Sequence, residues 1–397
     1  MILSEKAKQI SPSLTLAITA KAKQMKNEGI DVISFGAGEP DFDTPKNIQE
    51  AAKKAIEAGL TRYTPASGIN ELKEAIVQKF KKDNDLTYTM DQVIISTGGK
   101  QCLSNVFQSI LNPGDEVLVP IPYWVSYPEL IKLSDGKPVY VENKKENDYK
   151  YTLDSLEKAI SKKTKAIILN SPNNPAGSIY SHKELMEIAD FAQKYDLIII
   201  SDEIYEKLIY GNKTHVSIAS LSEDTFNRTI VINAVSKSYA MTGWRIGYAA
   251  GPKEIIKLMS SIQSHTTSNP TSISQYAALE ALTGPQDDLD FMVKQFAQRR
   301  DYMVSRIKAN PKLSCIEPEG AFYIMLNVSS VYGKKVNGNT ISNSMEFSDM
   351  ILDVEKVAVI PGVAFGLDEY VRLSYATSLE KITEGLDRIE RFMDKFN

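Results

Sequence analysis

The chain has 397 residues, enough to bury one large core and a second, smaller one. Its formal charge of −4, with Lys and Arg interspersed among Asp and Glu, leaves no basic face for nucleic acid. Two cysteines, Cys102 and Cys315, exclude a disulfide framework, and His182, His215 and His265 stand in unrelated polar contexts without ligand spacing, so neither a metal site nor a His-based triad is expected.

The opening Met1-Ile2-Leu3-Ser4-Glu5-Lys6 lacks the long apolar core of a signal peptide. No run approaches the roughly 18 apolar residues that span a bilayer, so a cytoplasmic protein is expected. Residues 1–43 read as one helix followed by the extended Asp31-Val32-Ile33-Ser34-Phe35. Thr44-Pro45 reads as an N-cap followed by proline at the first helical position, with the helix running through Ala58 and Gly59 just beyond it.

From about residue 45 to 305, short apolar runs alternate with amphipathic stretches. That pattern predicts an α/β domain with a mainly parallel sheet covered by helices. Val93-Ile94-Ile95 precedes a helix from about Lys100 to Leu111, which Asn112-Pro113-Gly114-Asp115 closes. Further strands are expected at 116–119, 166–169, 197–200 and 229–233. All are apolar throughout rather than alternating, as strands covered on both faces should be.

After about residue 310, strands at 322–326, 357–360 and 371–375 mix with helices. The polar stretch 332–344 reads as a surface excursion. The last helix carries Leu379, Ile382, Leu386, Ile389 and Met393 on one face. The expected organisation is an arm and part of a small α/β domain at 1–44, a large domain at 45–305, and the rest of the small domain at 306–397.

Polar clusters follow four of the buried strands, and open α/β sheets bind ligands at the carboxyl ends of their strands. Ser236-Lys237-Ser238 leaves the strand at 229–233, with Arg245 eight positions after the lysine. A lysine at a buried strand end is a candidate Schiff-base residue, and an arginine fork suits a phosphate. Together they suggest a covalently held phosphorylated aldehyde, pyridoxal phosphate. Ser96-Thr97-Gly98-Gly99-Lys100-Gln101 opens a helix with glycines that let backbone N–H groups approach an anion; it is not a Walker A loop. Asn170-Ser171-Pro172-Asn173-Asn174-Pro175-Ala176-Gly177 makes a stiff loop able to hold one amide in place, or an ordinary turn. In Ser201-Asp202-Glu203-Ile204-Tyr205, Asp202 reads either as a partner for a protonated pyridine nitrogen or as a cap of the next turn.

With Gly36-Ala37-Gly38-Glu39-Pro40-Asp41-Phe42 and Val371-Arg372-Leu373-Ser374-Tyr375-Ala376, these segments give a likeness over essentially the whole chain. The sequence resembles the class I pyridoxal-phosphate aminotransferases of fold type I. Within them it is similar to the bacterial aspartate aminotransferases of the aspartate/prephenate subgroup. The resemblance implies that Lys237 forms the Schiff base with pyridoxal 5'-phosphate and then moves the substrate proton. It implies that Asp202 pairs with the pyridine nitrogen, that Asn174 and Tyr205 bond the phenolic oxygen, and that Trp124 stacks on the ring. Gly99 and Lys100 amides, Ser236 and Arg245 would take the phosphate. Tyr63 would reach the neighbouring subunit's phosphate, which implies a homodimer with shared sites.

The same resemblance assigns Arg372 to the substrate α-carboxylate, with Gly38 and Asn174 assisting, and Lys100 to a second carboxylate. An arginine from the partner, used in another branch of the family, has no matching motif in 264–270. The expected activity is reversible ping-pong transfer between L-aspartate and 2-oxoglutarate, with the small domain closing on substrate. Aromatic, alanine, kynurenine or prephenate aminotransferases of the same fold, or a cofactor-dependent lyase, are the alternatives. Relatives that accept prephenate tend to carry Lys where Ser11 precedes Pro12-Ser13 here. A non-enzymatic cofactor-binding regulator would need a DNA-binding segment ahead of Gly36, and no basic signal supports one.

Overall fold

Sheet positions are set by apolar runs that demand cover on both faces. The computed structural model describes residues 2–396. Its strands are β1 (Ile33–Ser34), β2 (Val93–Ser96), β3 (Glu116–Pro120), β4 (Lys137–Val141), β5 (Thr164–Asn170), β6 (Ile198–Asp202), β7 (Thr229–Ala234) and β8 (Gly247–Ala250). They continue as β9 (Ser314–Ile316), β10 (Tyr323–Asn327), β11 (Lys335–Val336), β12 (Asn339–Thr340), β13 (Val357–Ala358), β14 (Ile360–Pro361) and β15 (Tyr370–Ser374).

Seven strands form the main sheet in the order β2-β8-β7-β6-β5-β3-β4. Only β8 runs antiparallel to its neighbours, so β2, β7, β6 and β5 all end on the same edge. Alternate residues of one strand enter different cores. Val117, Val119, Ile168 and Ile200 pack with Leu103 and Phe107 of the helix Gly99–Ile110. Leu118, Ile167 and Ile199 pack with Leu185 and Ile188 of the helix His182–Lys194. Two cores meeting through one sheet is why these strands carry no polar alternation.

The second sheet, β14-β15-β10-β9, is antiparallel and packs with the helices Asp287–Ala309, Ser344–Glu355 and Leu379–Asp394. Parallel pairing of β1 with β13 ties the amino-terminal segment to this unit. Thus Arg372 on β15 and the 36–39 loop after β1 face the edge where β5, β6 and β7 end.

Several details differ from the sequence expectations. The described residues up to 43 hold two helices, Glu5–Lys8 and Leu14–Asn27, each capped by a serine side chain, Ser4 and Ser13. Pro45 itself takes the N-cap position of the helix Lys46–Glu57, because the Thr44 hydroxyl donates instead to the Ala240 carbonyl at 2.7 Å. The excursion at 332–344 contains the β11–β12 hairpin and buries Val336 and Ile341. The strand at 357–360 is broken at Val359 into β13 and β14, which join different sheets. Leu379, placed on the apolar face of the last helix, is 47% exposed in its first turn, while Ile382, Leu386, Ile389 and Met393 are buried.

Candidate active site

A cavity of about 400 Å³ opens at the carboxyl ends of β5, β6 and β7. Lys237, Asp202, Tyr205 and Asn174 reach it from the main sheet, and Gly99, Lys100 and Trp124 from the adjoining helix and loop. Gly38 and Arg372 close it from the side of the second sheet.

The anion end is built by close approach. Gly98, at φ +85°, caps the helix Gly99–Ile110, so the N–H groups of Gly99 and Lys100 head its free first turn. A Cβ at Gly98 would lie 2.3 Å from Arg245 Nη2, and one at Gly247 would lie 2.3 Å from the Gly99 nitrogen. Both positions therefore require glycine if the helix start, Arg245 and β8 are to touch. Arg245 donates to the carbonyls of Thr242 and Thr97 at 3.0 and 3.3 Å. Ser236 is buried beside Lys237 in the short helix Val235–Ser238.

Lys237 Nζ donates to the Gly38 carbonyl at 2.5 Å. Burial pushes its ammonium down to about 8, opposed by Glu39 and helped by Arg372 and Arg245. Asp202 is 5% exposed, and burial pushes its carboxyl up to about 6. The Tyr127 hydroxyl, donating to Oδ2 at 2.6 Å, and the Ile204 N–H, donating to Oδ1 at 3.3 Å, favour its anion. Tyr205 shares a 3.0 Å hydrogen bond with the Tyr323 hydroxyl.

Arg372 is 3% exposed; Nη1 donates to Asn174 Oδ1 at 3.0 Å and Nη2 to the Gly36 carbonyl at 3.4 Å. Its guanidinium lies 4.2 Å from the Tyr323 ring centroid, and its Nε is buried without a partner. Burial lowers its basicity. A buried guanidinium with a donor to spare on a cavity wall is suited to a carboxylate. Lys100 Nζ stands 5.1 Å from the Trp124 centroid, and burial, then Arg245, holds its ammonium below the ordinary lysine value.

Of the site residues singled out in the sequence, Ser236 and Arg245 stand next to the cavity without lining it, and Tyr63 lies apart. It is 91% exposed, beside a separate cavity lined by Arg62, Ser268 and Asn269. Sequence reading missed Tyr127, Tyr323, Glu39, Ser13 and Thr15, all on the cavity wall. Tyr127 sits one helical turn past Trp124 and packs edge-on against it, a spacing that was there to be read. Tyr323 had no local signal, since only the β10–β15 register sets it near Arg372. Nor is His215 isolated as its context suggested: it joins Glu203 and Glu206, with ligand atoms within 4.8 Å of one another.

Among the described residues, no helix is long and apolar enough to cross a membrane. The family described as aminotransferase class I and II matches residues 30–389. An aspartate aminotransferase of Bacillus sp. (strain YM-2) is 51% identical over 99% of both chains. A probable aspartate/prephenate aminotransferase of Rickettsia felis is 47% identical, covering 98% of this chain and 96% of the relative. The crystal structure of an aspartate aminotransferase from Rhizobium meliloti superposes with a TM-score of 0.96 at 42% identity over the whole of both chains. Agreement of this length, on a fold whose strand ends gather the lysine, carboxylate and arginine described above, places the chain in the class I and II aminotransferase family.

Proposed function

We propose that the protein is an aspartate aminotransferase, moving the amino group reversibly between L-aspartate and 2-oxoglutarate to give oxaloacetate and L-glutamate. As an aminotransferase of this family it acts on amino acids and 2-oxo acids with pyridoxal 5'-phosphate. The residues present fit that cofactor: a glycine-lined helix start touching Arg245 suits its phosphate, and the buried Asp202 carboxylate is held by neutral donors. When bound, the cofactor supplies an electron sink for the charge released at the substrate α-carbon.

In this reading the chain's residues divide the work. Lys237, with its lowered basicity, would hold the cofactor through its Nζ and then carry the proton there. Asp202 would keep the pyridine nitrogen protonated, Asn174 and Tyr205 would bond the phenolic oxygen, and Trp124 would stack on the ring. Gly99, Lys100, Ser236 and Arg245 take the phosphate. Arg372 orients the α-carboxylate, with Gly38 and Asn174 beside it.

The observation that carries aspartate is that Arg372 and Lys100 line the same cavity, one cation for each carboxylate of a dicarboxylic substrate. The names of the relatives from Bacillus and Rhizobium meliloti support it. Prephenate stands second, because Ser11 offers no cation on the arm. The reading divides the chain into a large cofactor domain at 45–305 and a small one from 1–44 and 306–397 that closes on substrate. It includes a homodimer, in which the exposed Tyr63 serves the partner's site, and a cytoplasmic location that suits two free thiols.

The test is an absorbance scan of the purified protein before and after L-aspartate, with no keto acid. Conversion of the lysine-bound cofactor band to the amine-form band is expected. A band unmoved by aspartate but shifted by alanine or tyrosine would overturn the role of Lys100.

A further inference from the structure

The segment after β6 sends its side chains into two places. Asp202 and Tyr205 line the cavity, whereas Glu203 and Glu206 enter a separate buried cluster. Glu203, 1% exposed, accepts from Ser201 Oγ and Ser217 Oγ at 2.7 Å each and is joined by His215 Nε2 at 2.8 Å. Glu206 is bonded by Lys79 and by Asn84 Nδ2, the latter at 2.8 Å.

Behind them, Asp83 pairs with Lys207 at 2.9 Å and lies 3.8 Å from Lys79. The Tyr88 phenol, buried without a hydrogen-bond partner, is held protonated by burial and then by the Glu203 charge. Lys79 offsets Glu206 and Lys207 offsets Asp83. Glu203 is left without a cation unless His215 carries its second proton, and Glu203 adjoins Asp202 in the chain.

We propose that protonated His215 is a positioning residue for transamination: by neutralising Glu203 and anchoring the 202–206 segment, it keeps Asp202 an anion facing the cofactor nitrogen. The inference rests on the role given to Asp202 above. Burial and the nearby Lys79 ammonium oppose the imidazolium, and its Nδ1 is buried without a partner, but Glu203 and Glu206 outweigh them and hold His215 above the ordinary imidazole value. Asp202, already raised by burial, is raised further by the Glu203 charge. An uncompensated Glu203 would therefore protonate Asp202 at a higher pH. The three ligand atoms could also suit a divalent metal, but the Lys79 ammonium already sits at Glu206.

The test uses the holoenzyme and its His215→Gln, Glu203→Gln and double variants, with cofactor retention after gel filtration followed by absorbance across acid pH. The acid limb of retention should move up by about one pH unit in His215→Gln. It should return to the wild-type position in the double variant, where no charge remains to be offset. A limb that stays put, or a shift that persists in the double variant, would overturn the proposal, even if His215→Gln lowers the melting temperature. Stoichiometric divalent metal in the purified holoenzyme would overturn it too. If His215→Gln does not fold, nitrogen NMR of His215 in the parent holoenzyme decides: both ring nitrogens should stay protonated across the acid limb, and a neutral ring overturns the idea. Asp202→Asn separates the two readings, since an unchanged limb there removes Asp202 from the cofactor, whereas a limb that depends on Asp202 but ignores His215 removes only His215.

Discussion

Two groups of buried charges flank the segment 202–206, and they are built on opposite terms. In the cavity the charges have neutral partners: Lys237 the Gly38 carbonyl, Asp202 the Tyr127 hydroxyl, Arg372 the Asn174 amide. Burial moves Lys237 down to about 8 and Asp202 up to about 6, both toward neutrality. On the reverse side Glu206 has Lys79 and Glu203 has His215, and the Glu206 carboxyl, despite burial, is held at about 2. A buried charge with neutral partners is poised to change its protonation or to take a charged ligand. One with a charged partner holds shape, and removing the partner is costly.

The largest effect that would sharpen this contrast is in the cavity. Lys237→Ala should lower kcat/KM by about 10⁴-fold, the upper end of the range for losing a proton-transfer group. The urea midpoint of the cofactor-free chain should not fall. If it falls steeply, the cavity charges are structural after all and the contrast breaks.

On the reverse side, Lys79→Met leaves Glu206 buried and unpaired, and should cost about 3–5 kcal/mol of unfolding free energy. Adding Glu206→Gln should restore most of it. A single variant as stable as the parent would show that the cluster holds nothing.

The pH dependence of the cofactor-free chain separates the groups by sign. Glu206 lies at about 2 against an ordinary 4.5, so the stability it contributes is present above 4.5 and is lost as pH falls toward 2. Asp202 lies at about 6 against 3.8, so its native form binds the extra proton; stability present below 3.8 is lost as pH rises through 6. Lys237, at about 8 against 10.5, adds a penalty below 8 that disappears above 10.5. Urea midpoints against pH should lose the acid arm in Glu206→Gln and the decline between 4 and 6 in Asp202→Asn.

Smaller effects are expected from the donors. Arg372→Ala should raise KM for aspartate about 10–100-fold, as loss of a charge-assisted bond of roughly 1.5–3 kcal/mol implies, with the cofactor band unchanged. Tyr127→Phe removes one donor from Asp202 and should weaken cofactor retention by about tenfold, most visibly at acid pH.

Legibility followed the range of the forces involved. The strands of the main sheet could be read because cover on both faces leaves continuous apolar runs, as in Ile198–Asp202 and Thr229–Ala234. The second unit was harder, since β1 and β13 are two residues each and pair across most of the chain. Thr44 was misplaced for the same reason: its hydroxyl found a distant carbonyl instead of capping its own helix.

Residue types at strand ends are fixed locally, so Lys237, Arg245 and the Gly98-Gly99-Lys100 turn suggested a phosphate and Schiff-base site before any fold was known, while Asp202 and Asn174 kept a structural alternative. Arg372 needed the family resemblance, and Tyr323 the β10–β15 register that sets it against the guanidinium. The sequence by itself determined which strands are buried and which chemistry stands at their ends, because burial pattern and turn chemistry act over a few residues. Only the tertiary structure decided that Tyr127 would hold Asp202 and that His215 would meet Glu203, since those contacts join separate elements and depend on how they pack.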